Sequence, residues 1–348
     1  MQAIKTALLS FGMSGKLFHA PFISVHPGFE LGGAWERTNK VIKDVYPDAI
    51  SYNSLEDLLA DDSIELVIVN TPNNTHYSYA KAALLAGKDV VVEKAFTTTV
   101  AEAVGLQELA LKLNRKISVY QSRRFDSDYR TLQKILQQNL LGDVVDAEFR
   151  YDRYKPAIGP KQHKELTGPG AGLLNDLGPH LIDQALTLFG MPEAVFADVR
   201  ITRPKSQVDD WFDVVLYYSS LRVRLHASNF ARQALPAYML QGTKGSFIKS
   251  RTDMQETRLL AGELPNRTDW GVEPASEYGL LHTEINGVVI KERVPSETGN
   301  YLDFYDAVYD AIRNNAPMPV TCQQATDVMR IIEASVESSN GKKVVDIA

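Results

Sequence analysis

Short, almost wholly apolar runs that alternate with helix signals over the first part of the chain constrain its fold most strongly. Residues 64–69 contain one charged side chain, Glu65, and end at a turn-forming segment, 70–74. Residues 90–92 form another such run, and Thr99 with Glu102 three positions later is a capping box that opens a helix. Strands without polar alternation are covered on both faces. The pattern therefore predicts a doubly wound α/β fold, a parallel sheet with helices on each side.

The pattern changes after Gln121. Four later runs alternate polar and apolar residues: 144–152, 195–201, 211–218 and 221–228. This alternation is typical of antiparallel strands with one face left open, where two subunits of a homo-oligomer could meet. Helices are predicted at about 173–188, 301–314 and 323–338, and a polar, turn-rich stretch at 251–299. We therefore predict two domains, a doubly wound parallel sheet over 1–121 and an α+β domain with an open, mostly antiparallel sheet over 122–348.

Charge and composition exclude several kinds of partner. The 348 residues carry 37 Lys+Arg and 43 Asp+Glu, a formal net charge of −6, so the chain lacks the basic face that nucleic-acid binding requires. No apolar run approaches the roughly 18–20 residues that cross a bilayer. Cys322 is the single cysteine, which rules out an intrachain disulfide and favours a cytoplasmic location. The seven histidines form no metal-binding motif, so no metal is expected.

The first strand-to-helix turn contains part of a dinucleotide-binding fingerprint. Gly12 and Gly15 occupy the third and sixth positions, where glycine lets the backbone approach a pyrophosphate, and Ser10 replaces the first glycine. Glu36 ends the next strand, where a carboxylate binds the ribose hydroxyls, whereas its neighbour Arg37 suits a 2′-phosphate. The choice between NAD and NADP is therefore left open. The predicted contacts to the cofactor from these two segments are Gly12, Met13, Ser14, Gly15, Glu36 and Arg37.

More polar side chains follow the later strands of the predicted parallel sheet. Ligands bind outside the carboxyl edge of such a sheet, so residues directly after its strands are candidates. The predicted cofactor-binding set at this edge is Asn70, Thr71, Pro72, Asn73 and His76 after one strand, Glu93 and Lys94 after the next, and Gln121 after the last. Lys94 either orients a substrate hydroxyl and the nicotinamide ribose or is a solvated lysine at a strand end.

A second cluster combines a carboxylate with a histidine. Asp176 and His180 share a face if one helix contains both, whereas Pro179 favours a helix that begins near it. Histidine is the side chain most readily tuned to accept a proton near neutral pH, and a nearby carboxylate helps to set its tautomer. The alternative is a histidine buried in a helix-packing interface. Asp183, on the same segment, is expected to be structural.

These residues together resemble the glucose–fructose oxidoreductase/inositol dehydrogenase (Gfo/Idh/MocA) family along essentially the whole chain. Three segments resemble the branch that contains scyllo-inositol dehydrogenases: Phe18-His19-Ala20-Pro21-Phe22, Arg123-Arg124-Phe125-Asp126 and Asp176-Leu177-Gly178-Pro179-His180. The resemblance implies an N-terminal Rossmann domain, a C-terminal α/β domain with an open sheet, and NAD(P)-dependent oxidation of a sugar or cyclitol hydroxyl, or the reverse reduction. It also implies that Lys94 matches the lysine of the family's Glu-Lys-Pro motif, and that Asp176 and His180 match its substrate-side acid and histidine.

The resemblance also assigns roles. The reacting hydroxyl carbon is expected against the nicotinamide C4, with His180 as the base, Asp176 fixing its ring and Lys94 stabilising the developing alkoxide. Candidate donors to the substrate hydroxyls are Arg124, Arg153 and Tyr154. Ala95 stands where the family has proline, which is expected to affect the positioning of Lys94 more than its chemistry.

Two other functions stay open. A non-catalytic protein that senses cofactor or sugar for a partner fits Ala95 in place of proline, whereas the joint presence of Lys94, Asp176 and His180 favours an enzyme. NAD-assisted cleavage of a glycoside is the third possibility. The sequence names neither the sugar or cyclitol, nor the direction of reaction, nor the subunit number. The acidic pair Asp209-Asp210 is expected to be a solvated loop charge.

Overall fold

The computed structural model describes residues 2–159, 165–252 and 254–347. The chain forms two compact units, each discontinuous in sequence. The first consists of Met1–Ser122, Met254–Trp270 and Asn300–Thr326, and the second of Arg123–Asp253, Gly271–Gly299 and Asp327–Ala348. The chain therefore leaves the first unit after Ser122 and returns to it twice. A single domain boundary between 121 and 122 stays a prediction.

A six-stranded parallel sheet forms the core of the first unit. Its strands are β1 (Ile4–Leu8), β2 (Phe29–Trp35), β3 (Ile50–Tyr52), β4 (Leu66–Val69), β5 (Asp89–Glu93) and β6 (Ile117–Tyr120), in the spatial order β3-β2-β1-β4-β5-β6. Every residue of β4 is buried, as expected of a strand covered on both faces. The predicted doubly wound sheet is confirmed.

Helices connect these strands. A π-helical turn (Gly15–His19) and α1 (Ala20–Val25) follow β1, and the later connections contain α2 (Ile42–Val45), α3 (Leu55–Ala60), α4 (His76–Leu85) and α5 (Val100–Leu113). The Thr99 hydroxyl accepts a hydrogen bond of 3.2 Å from the Glu102 amide and so caps α5, as predicted. The Glu102 carboxylate accepts from the amide and hydroxyl of Thr98 instead of the Thr99 amide.

The second unit contains a mixed sheet of nine strands in the part of the chain that the structure describes. They are β7 (Val144–Arg150), β8 (Ala194–Arg200), β9 (Trp211–Tyr217), β10 (Arg222–Ser228), β11 (Tyr238–Gly242), β12 (Gly245–Lys249), β13 (Gly279–Ile285), β14 (Val288–Val294) and β15 (Val345–Asp346). Their order is β14-β13-β12-β11-β7-β10-β9-β8-β15, with β7 and β10 parallel and the other pairs antiparallel. On β10, Val223 and Leu225 are buried whereas Arg222 and Arg224 are exposed, which confirms the predicted alternation as far as Leu225. The outward position predicted for His226 by the same alternation is wrong, because this side chain is buried.

The remaining helices are α6 (Ser127–Gln137), α7 (Leu173–Asp176), α8 (Gly178–Phe189), α9 (Met254–Leu260), α10 (Leu302–Arg313) and α11 (Cys322–Gly341). The prediction of a turn-rich stretch at 251–299 is wrong, because α9, β13 and β14 lie within it. β14 is exposed along most of its length, so it lacks the burial alternation by which a strand is recognised. Among the described residues, no helix is both long and apolar enough to span a membrane. The cytoplasmic location stays a prediction.

Candidate active site

The strands of the first sheet bring most of the predicted cofactor-binding residues to one edge. Leu8 pairs with Ile68, Val69 with Val92 and Glu93 with Tyr120, so four strands end at the same level. The turn after β1, the segment after β4, the Glu93-Lys94 step and Gln121 all follow these ends. The strand order reverses between β1 and β4, which is where open parallel sheets bind their ligands.

The turn after β1 is built around Ser10. Its hydroxyl accepts a hydrogen bond of 3.1 Å from the Gly12 amide, and its carbonyl accepts one of 2.7 Å from the Asn70 side-chain nitrogen. A Cβ atom at Gly15 would lie 2.4 Å from the Ser10 carbonyl oxygen, so this position requires glycine. Ser10 does not adopt a positive φ, and the serine is therefore accommodated where the fingerprint has glycine.

The same turn fits a dinucleotide. Asn70 Oδ1 is buried and has no hydrogen-bond partner among the described residues, which leaves an acceptor at the sheet edge for a ligand hydroxyl or amide. Gly15 is buried and lets the turn pack closely against Asn70, since a Cβ atom there would lie 3.0 Å from Asn70 Nδ2, and the Met13 side chain is 53% exposed. These features match a site where a pyrophosphate approaches the main chain.

Glu36 and Arg37, adjacent in sequence, are placed in opposite environments. The Glu36 carboxylate is 5% exposed and accepts hydrogen bonds from the amides of Val41 (2.8 Å) and Ile42 (3.3 Å) and from the Ser51 hydroxyl (3.1 Å). It therefore holds the start of α2. The Arg37 guanidinium is exposed and lies 6.0 Å from the centroid of the Trp35 ring.

The segment after β4 is tied to the segment after β5 by His76. Its ring is buried, with Nδ1 2.7 Å from the Ala95 carbonyl oxygen and Nε2 2.9 Å from that of Thr71. Burial lowers the pKa of this histidine. The Thr75 hydroxyl donates to the Pro72 carbonyl, and its oxygen lies 2.6 Å from the hydroxyl oxygen of Thr71. Asn73 begins a short 3₁₀ turn. His76 therefore positions backbone on both sides of the predicted cofactor site.

The carboxylate of Glu93 connects the turn after β1, which contains Ser10 and Ser14 and is called the nucleotide turn from here on, to Lys94. Glu93 Oε1 accepts hydrogen bonds from the Ser14 hydroxyl and from His19 Nε2 (3.0 Å), and Oε2 accepts one of 3.2 Å from the Lys94 amide. Burial acts to raise the pKa of Glu93, but the hydrogen bonds from His19 and Ser14 and the nearby Lys94 cation outweigh it and lower the pKa to about 2. Glu93 is thus ionised at neutral pH. The Lys94–Ala95 peptide bond is cis.

His19 was part of a motif in the sequence but had no assigned role. It is buried, and its Nδ1 lies 2.8 Å from the hydroxyl of Tyr305 on α10. The Tyr305 hydroxyl in turn donates to the Phe18 carbonyl at 3.1 Å. No sequence signal links positions 19, 93 and 305, because their contact depends on a segment that returns to the first unit late in the chain.

In the second unit, Asp176 and His180 lie on separate helices. Asp176 ends α7, His180 lies in the first turn of α8, and the helices are interrupted at Leu177. One continuous helix over 173–188 is therefore wrong. The prediction of a helix that begins near Pro179 is confirmed, because Pro179 occupies the first turn of α8, where its missing amide hydrogen costs nothing. His180 is 7% exposed.

Arg153 is brought to Asp176, whereas Tyr154 is directed elsewhere. Arg153 Nη1 lies 3.8 Å from Asp176 Oδ2, and its guanidinium carbon is 4.8 Å from the centroid of the Tyr151 ring. Consecutive residues of an extended chain project to opposite sides. The Tyr154 hydroxyl accepts a hydrogen bond from Arg232, whose guanidinium lies 4.0 Å from the Tyr154 ring centroid.

Tyr151 is a residue of this cluster that the sequence did not single out. The guanidinium of Arg251 lies 4.3 Å from its ring centroid and that of Arg123 lies 5.8 Å away, in addition to Arg153. The alternation predicted over 144–152 indicates that Tyr151 is buried, but it does not indicate the three cationic neighbours of this residue.

Arg124 is paired with Asp183. Arg124 Nε donates to Asp183 Oδ2 at 2.7 Å and Nη2 donates to Oδ1 at 2.6 Å, and the Asp183 side chain is 2% exposed. Such a bidentate pair fixes both groups strongly. Asp183 is structural, as expected, and Arg124 holds α8 in the described structure, so its role as a substrate donor stays a prediction.

The pair Asp209-Asp210 is not solvated, and that expectation is wrong. Asp210 has no exposed surface, since its carboxylate accepts from the amide and hydroxyl of Thr202 and from the amide and Nε of Arg203. The Asp209 carboxylate accepts a 2.7 Å hydrogen bond from the Leu174 amide at the start of α7. Among the described residues, no group of three or more His, Cys, Asp or Glu side chains could hold a metal ion.

Comparison with known families matches nearly the whole chain. The model of the oxidoreductase family (GFO_IDH_MocA), NAD-binding Rossmann fold, matches residues 4–121. The model of the oxidoreductase family, C-terminal alpha/beta domain, matches residues 133–347.

Individual relatives agree with this match. The chain is 36% identical over 345 residues to the scyllo-inositol 2-dehydrogenase (NADP(+)) IolW of Bacillus subtilis, covering 99% of this chain and 96% of the relative. It is 38% identical over 346 residues to the uncharacterized oxidoreductase YdgJ of Escherichia coli, covering 99% of each. A crystal structure of a putative oxidoreductase from Bacteroides fragilis superposes with a TM-score of 0.91 at 46% identity, covering 99% of this chain and 100% of that chain.

Proposed function

Because the chain belongs to the Gfo/Idh/MocA oxidoreductase family and is an NAD(P)-dependent enzyme, we propose that it transfers a hydride between the nicotinamide and a hydroxyl carbon of a cyclitol or sugar. The observation that carries the proposal is the strand end where the Glu93 carboxylate joins the nucleotide turn to Lys94. The inositol dehydrogenase among its relatives supports a cyclitol as substrate.

The proposed roles follow from the chemistry of an alcohol that loses a hydride and a proton. The bound nicotinamide supplies the hydride acceptor. The Lys94 ammonium stabilises negative charge that develops on the substrate oxygen, a contribution of about 3–4 kcal/mol for well-placed donors. His180 accepts the hydroxyl proton, and Asp176, paired with Arg153, holds the ring and the polar groups around it.

We propose NADP as the preferred cofactor. A carboxylate at the end of β2 favours NAD only if it is available to the ribose hydroxyls, and the Glu36 carboxylate is engaged by two amides and a hydroxyl. Arg37 is exposed beside it and offers a planar cation for a 2′-phosphate. The residues therefore favour the phosphorylated dinucleotide.

The test is a titration of the purified protein with NAD⁺ and with NADP⁺ against a panel of cyclitols and aldoses, followed at the absorbance band of reduced nicotinamide. We expect turnover of at least one cyclitol, with the higher kcat/KM for NADP⁺. Cofactor binding without turnover of any polyol would contradict the proposal and favour a sensor. A chromogenic glycoside cleaved with catalytic amounts of cofactor would favour the hydrolase instead.

We also propose that the second unit self-associates through the open face of its sheet. The polar face of β7, β9 and β10 carries both signs of charge, including the pairs Arg150–Glu148 and Arg224–Asp213, so two copies can be complementary. Phe196 on β8 is 37% exposed. Sedimentation should show a dimer or larger assembly for the native chain and a monomer for Phe196→Glu; a native monomer would refute the association.

A further inference from the structure

A buried histidine with no part in the proposed reaction lies behind the strand end that carries Lys94. His19 has no exposed surface and packs on Tyr120, with ring centroids 4.6 Å apart. Both of its ring nitrogens are engaged, Nδ1 with the Tyr305 hydroxyl and Nε2 with Glu93. An apolar side chain would fill the same space without the cost of burying a polar ring. The two hydrogen bonds, and not packing, account for a histidine here.

The direction of these hydrogen bonds follows from counting donors. The hydroxyl hydrogen of Tyr305 is donated to the Phe18 carbonyl, so this oxygen accepts from His19 Nδ1. Glu93 is ionised and has no hydrogen to donate, so it accepts from His19 Nε2. With the Tyr305 hydrogen on the Phe18 carbonyl, each ring nitrogen of His19 carries a hydrogen, whereas a Tyr305 hydroxyl that donated to Nδ1 would leave a neutral ring with one.

The π-helical turn explains how two residues from one short segment reach the same carboxylate oxygen. Ser14 and His19 are five positions apart, which corresponds to about 140° around an α-helix, too far apart to meet one oxygen. In a π turn the hydrogen bonds join residues i and i+5, and here the Ala20 amide donates to the Gly15 carbonyl. Positions 14 and 19 therefore lie on nearly the same face, and both side chains contact Glu93 Oε1.

We propose that His19 is a positioning residue, a buried imidazolium that pins the Glu93 carboxylate between the nucleotide turn and Lys94. The groups that face it are Glu93 from β5, Tyr120 from β6 and Tyr305 from α10; Ser14 shares Glu93 Oε1 with His19, and the Lys94 amide donates to Oε2. The ion pair keeps Glu93 in one orientation, so Ser14 and the Lys94 backbone are held together. The effect on catalysis rests on the proposed function, whereas the charge on His19 does not.

The charge is tested first, without turnover, by ¹⁵N NMR of the histidine-labelled full-length chain at neutral pH. We expect the His19 ring to show hydrogens on both nitrogens, and Glu93→Gln to convert it to a neutral ring with one. A neutral His19 in the native chain would overturn the proposal. This outcome is independent of whether any polyol is oxidised, so it separates failure of this proposal from failure of the proposed function.

Two substitutions then separate the two hydrogen bonds. The amide nitrogen of His19→Gln can replace Nε2 and keep the contact with Glu93, whereas that of His19→Asn can replace only Nδ1. We expect His19→Asn to lower kcat about tenfold or more and to weaken NADP⁺ binding about fivefold, and His19→Gln to stay within about threefold of the native chain in both.

His26 provides the control, since it pairs with Asp306 at 2.8 Å on a part-exposed side of the same unit. His26→Asn should leave kcat and NADP⁺ affinity unchanged. Thermal unfolding of each variant shows whether it is folded. Equal losses in His19→Gln and His19→Asn, with both proteins folded, would mean that the ring only fills space, and the positioning role would be refuted.

Discussion

Two part-buried carboxylates, one in each unit, have pKa values that are shifted in opposite directions. Burial is the largest influence on both and acts to raise the pKa of each. The pKa of Glu93 nevertheless falls to about 2, because His19, Ser14 and Lys94 donate to it or carry positive charge nearby. The pKa of Asp209 rises to about 6, because burial and the negative charge of Asp210 outweigh the main-chain amide donors, which act to lower it. The presence or absence of a cation among the neighbours decides whether the pKa of the carboxylate falls or rises.

The difference separates two ways of holding a site. Around Glu93, the side chains of Ser14 and His19 from the segment after β1 meet the Lys94 amide at the end of β5. At Asp209, the carbonyl oxygen accepts from the Leu173 amide (2.8 Å) and the carboxylate accepts from Leu174, so one residue caps α7, which has Asp176 at its end. Gly172 has a φ of +91°, and a Cβ there would lie 1.8 Å from Asp209 Oδ1, so only glycine fits beside this cap. The carboxylate at the start of α7 is held by main-chain geometry, whereas Glu93 is held by charged and polar side chains.

The largest effect, a loss of turnover, is expected when the Lys94 ammonium is removed. Lys94→Met should lower kcat about 10³-fold, since a donor to a developing oxyanion is lost, and leave the dissociation constant of the cofactor within about threefold. Steady-state kinetics and a fluorescence titration measure the two quantities. Lys112→Met, at an exposed position of α5, is the matched control. Full turnover by Lys94→Met would remove the lysine from the mechanism.

Glu93→Gln tests the lowered pKa. The folded-state pKa is below the ordinary value of 4.5, so this carboxylate stabilises the fold above pH 4.5, and the contribution disappears as the pH falls towards 2. A shift of this size corresponds to at most about 3 kcal/mol. Urea unfolding should show the native chain more stable than Glu93→Gln by about 2–3 kcal/mol at pH 7, with the difference shrinking at pH 3. A constant difference would contradict the assignment.

Asp209→Asn should show the opposite dependence on pH. The folded state binds its proton more tightly than the unfolded state, so the stability of the native chain falls as the pH rises from 3.8 to about 6 and then levels off. The uncharged asparagine should therefore be more stable than the native chain by about 1–2 kcal/mol at pH 8 and equal to it near pH 4. Denaturant unfolding at the two pH values measures this, with Asp198→Asn, an exposed pair with Arg200, as the control. If Asp209→Asn is less stable than the native chain at pH 8, the raised pKa of Asp209 and its opposite pH dependence to Glu93 are contradicted.

The smallest effect is expected from the removal of Arg37, which should weaken cofactor binding. Arg37→Ala should weaken NADP⁺ binding about tenfold, or about 1.4 kcal/mol, and leave NAD⁺ binding unchanged, because only the 2′-phosphate contact is lost. Isothermal titration with both cofactors measures the ratio. Arg330→Ala, a part-exposed arginine of α11, should change neither constant. Equal losses for both cofactors would place Arg37 outside the phosphate site.

Much of the fold could be predicted because its signals are local. The apolar runs of β4 and β5, the Thr99 cap and the alternation of β10 each depend on a few neighbouring residues, and the structure confirms them. The edge that carries Asn70, Lys94 and Gln121 followed from the general rule for parallel strands. The predictions failed where burial is not periodic, as in the exposed strand β14, whereas the interruption at Leu177 had a local signal in Pro179, which favoured a helix that begins near it.

The sequence by itself determined the parallel sheet, its glycine turn and the strand end that presents Lys94, since periodicity and backbone freedom depend on neighbouring residues. Only the tertiary structure decided which polar groups are paired. It turned Glu36 inward, joined Arg124 to Asp183 and brought Tyr305 to His19 across 286 positions. The functional group of a side chain determines what it can bind. Its charge state and its actual partners depend on groups that distant segments bring within a few ångströms.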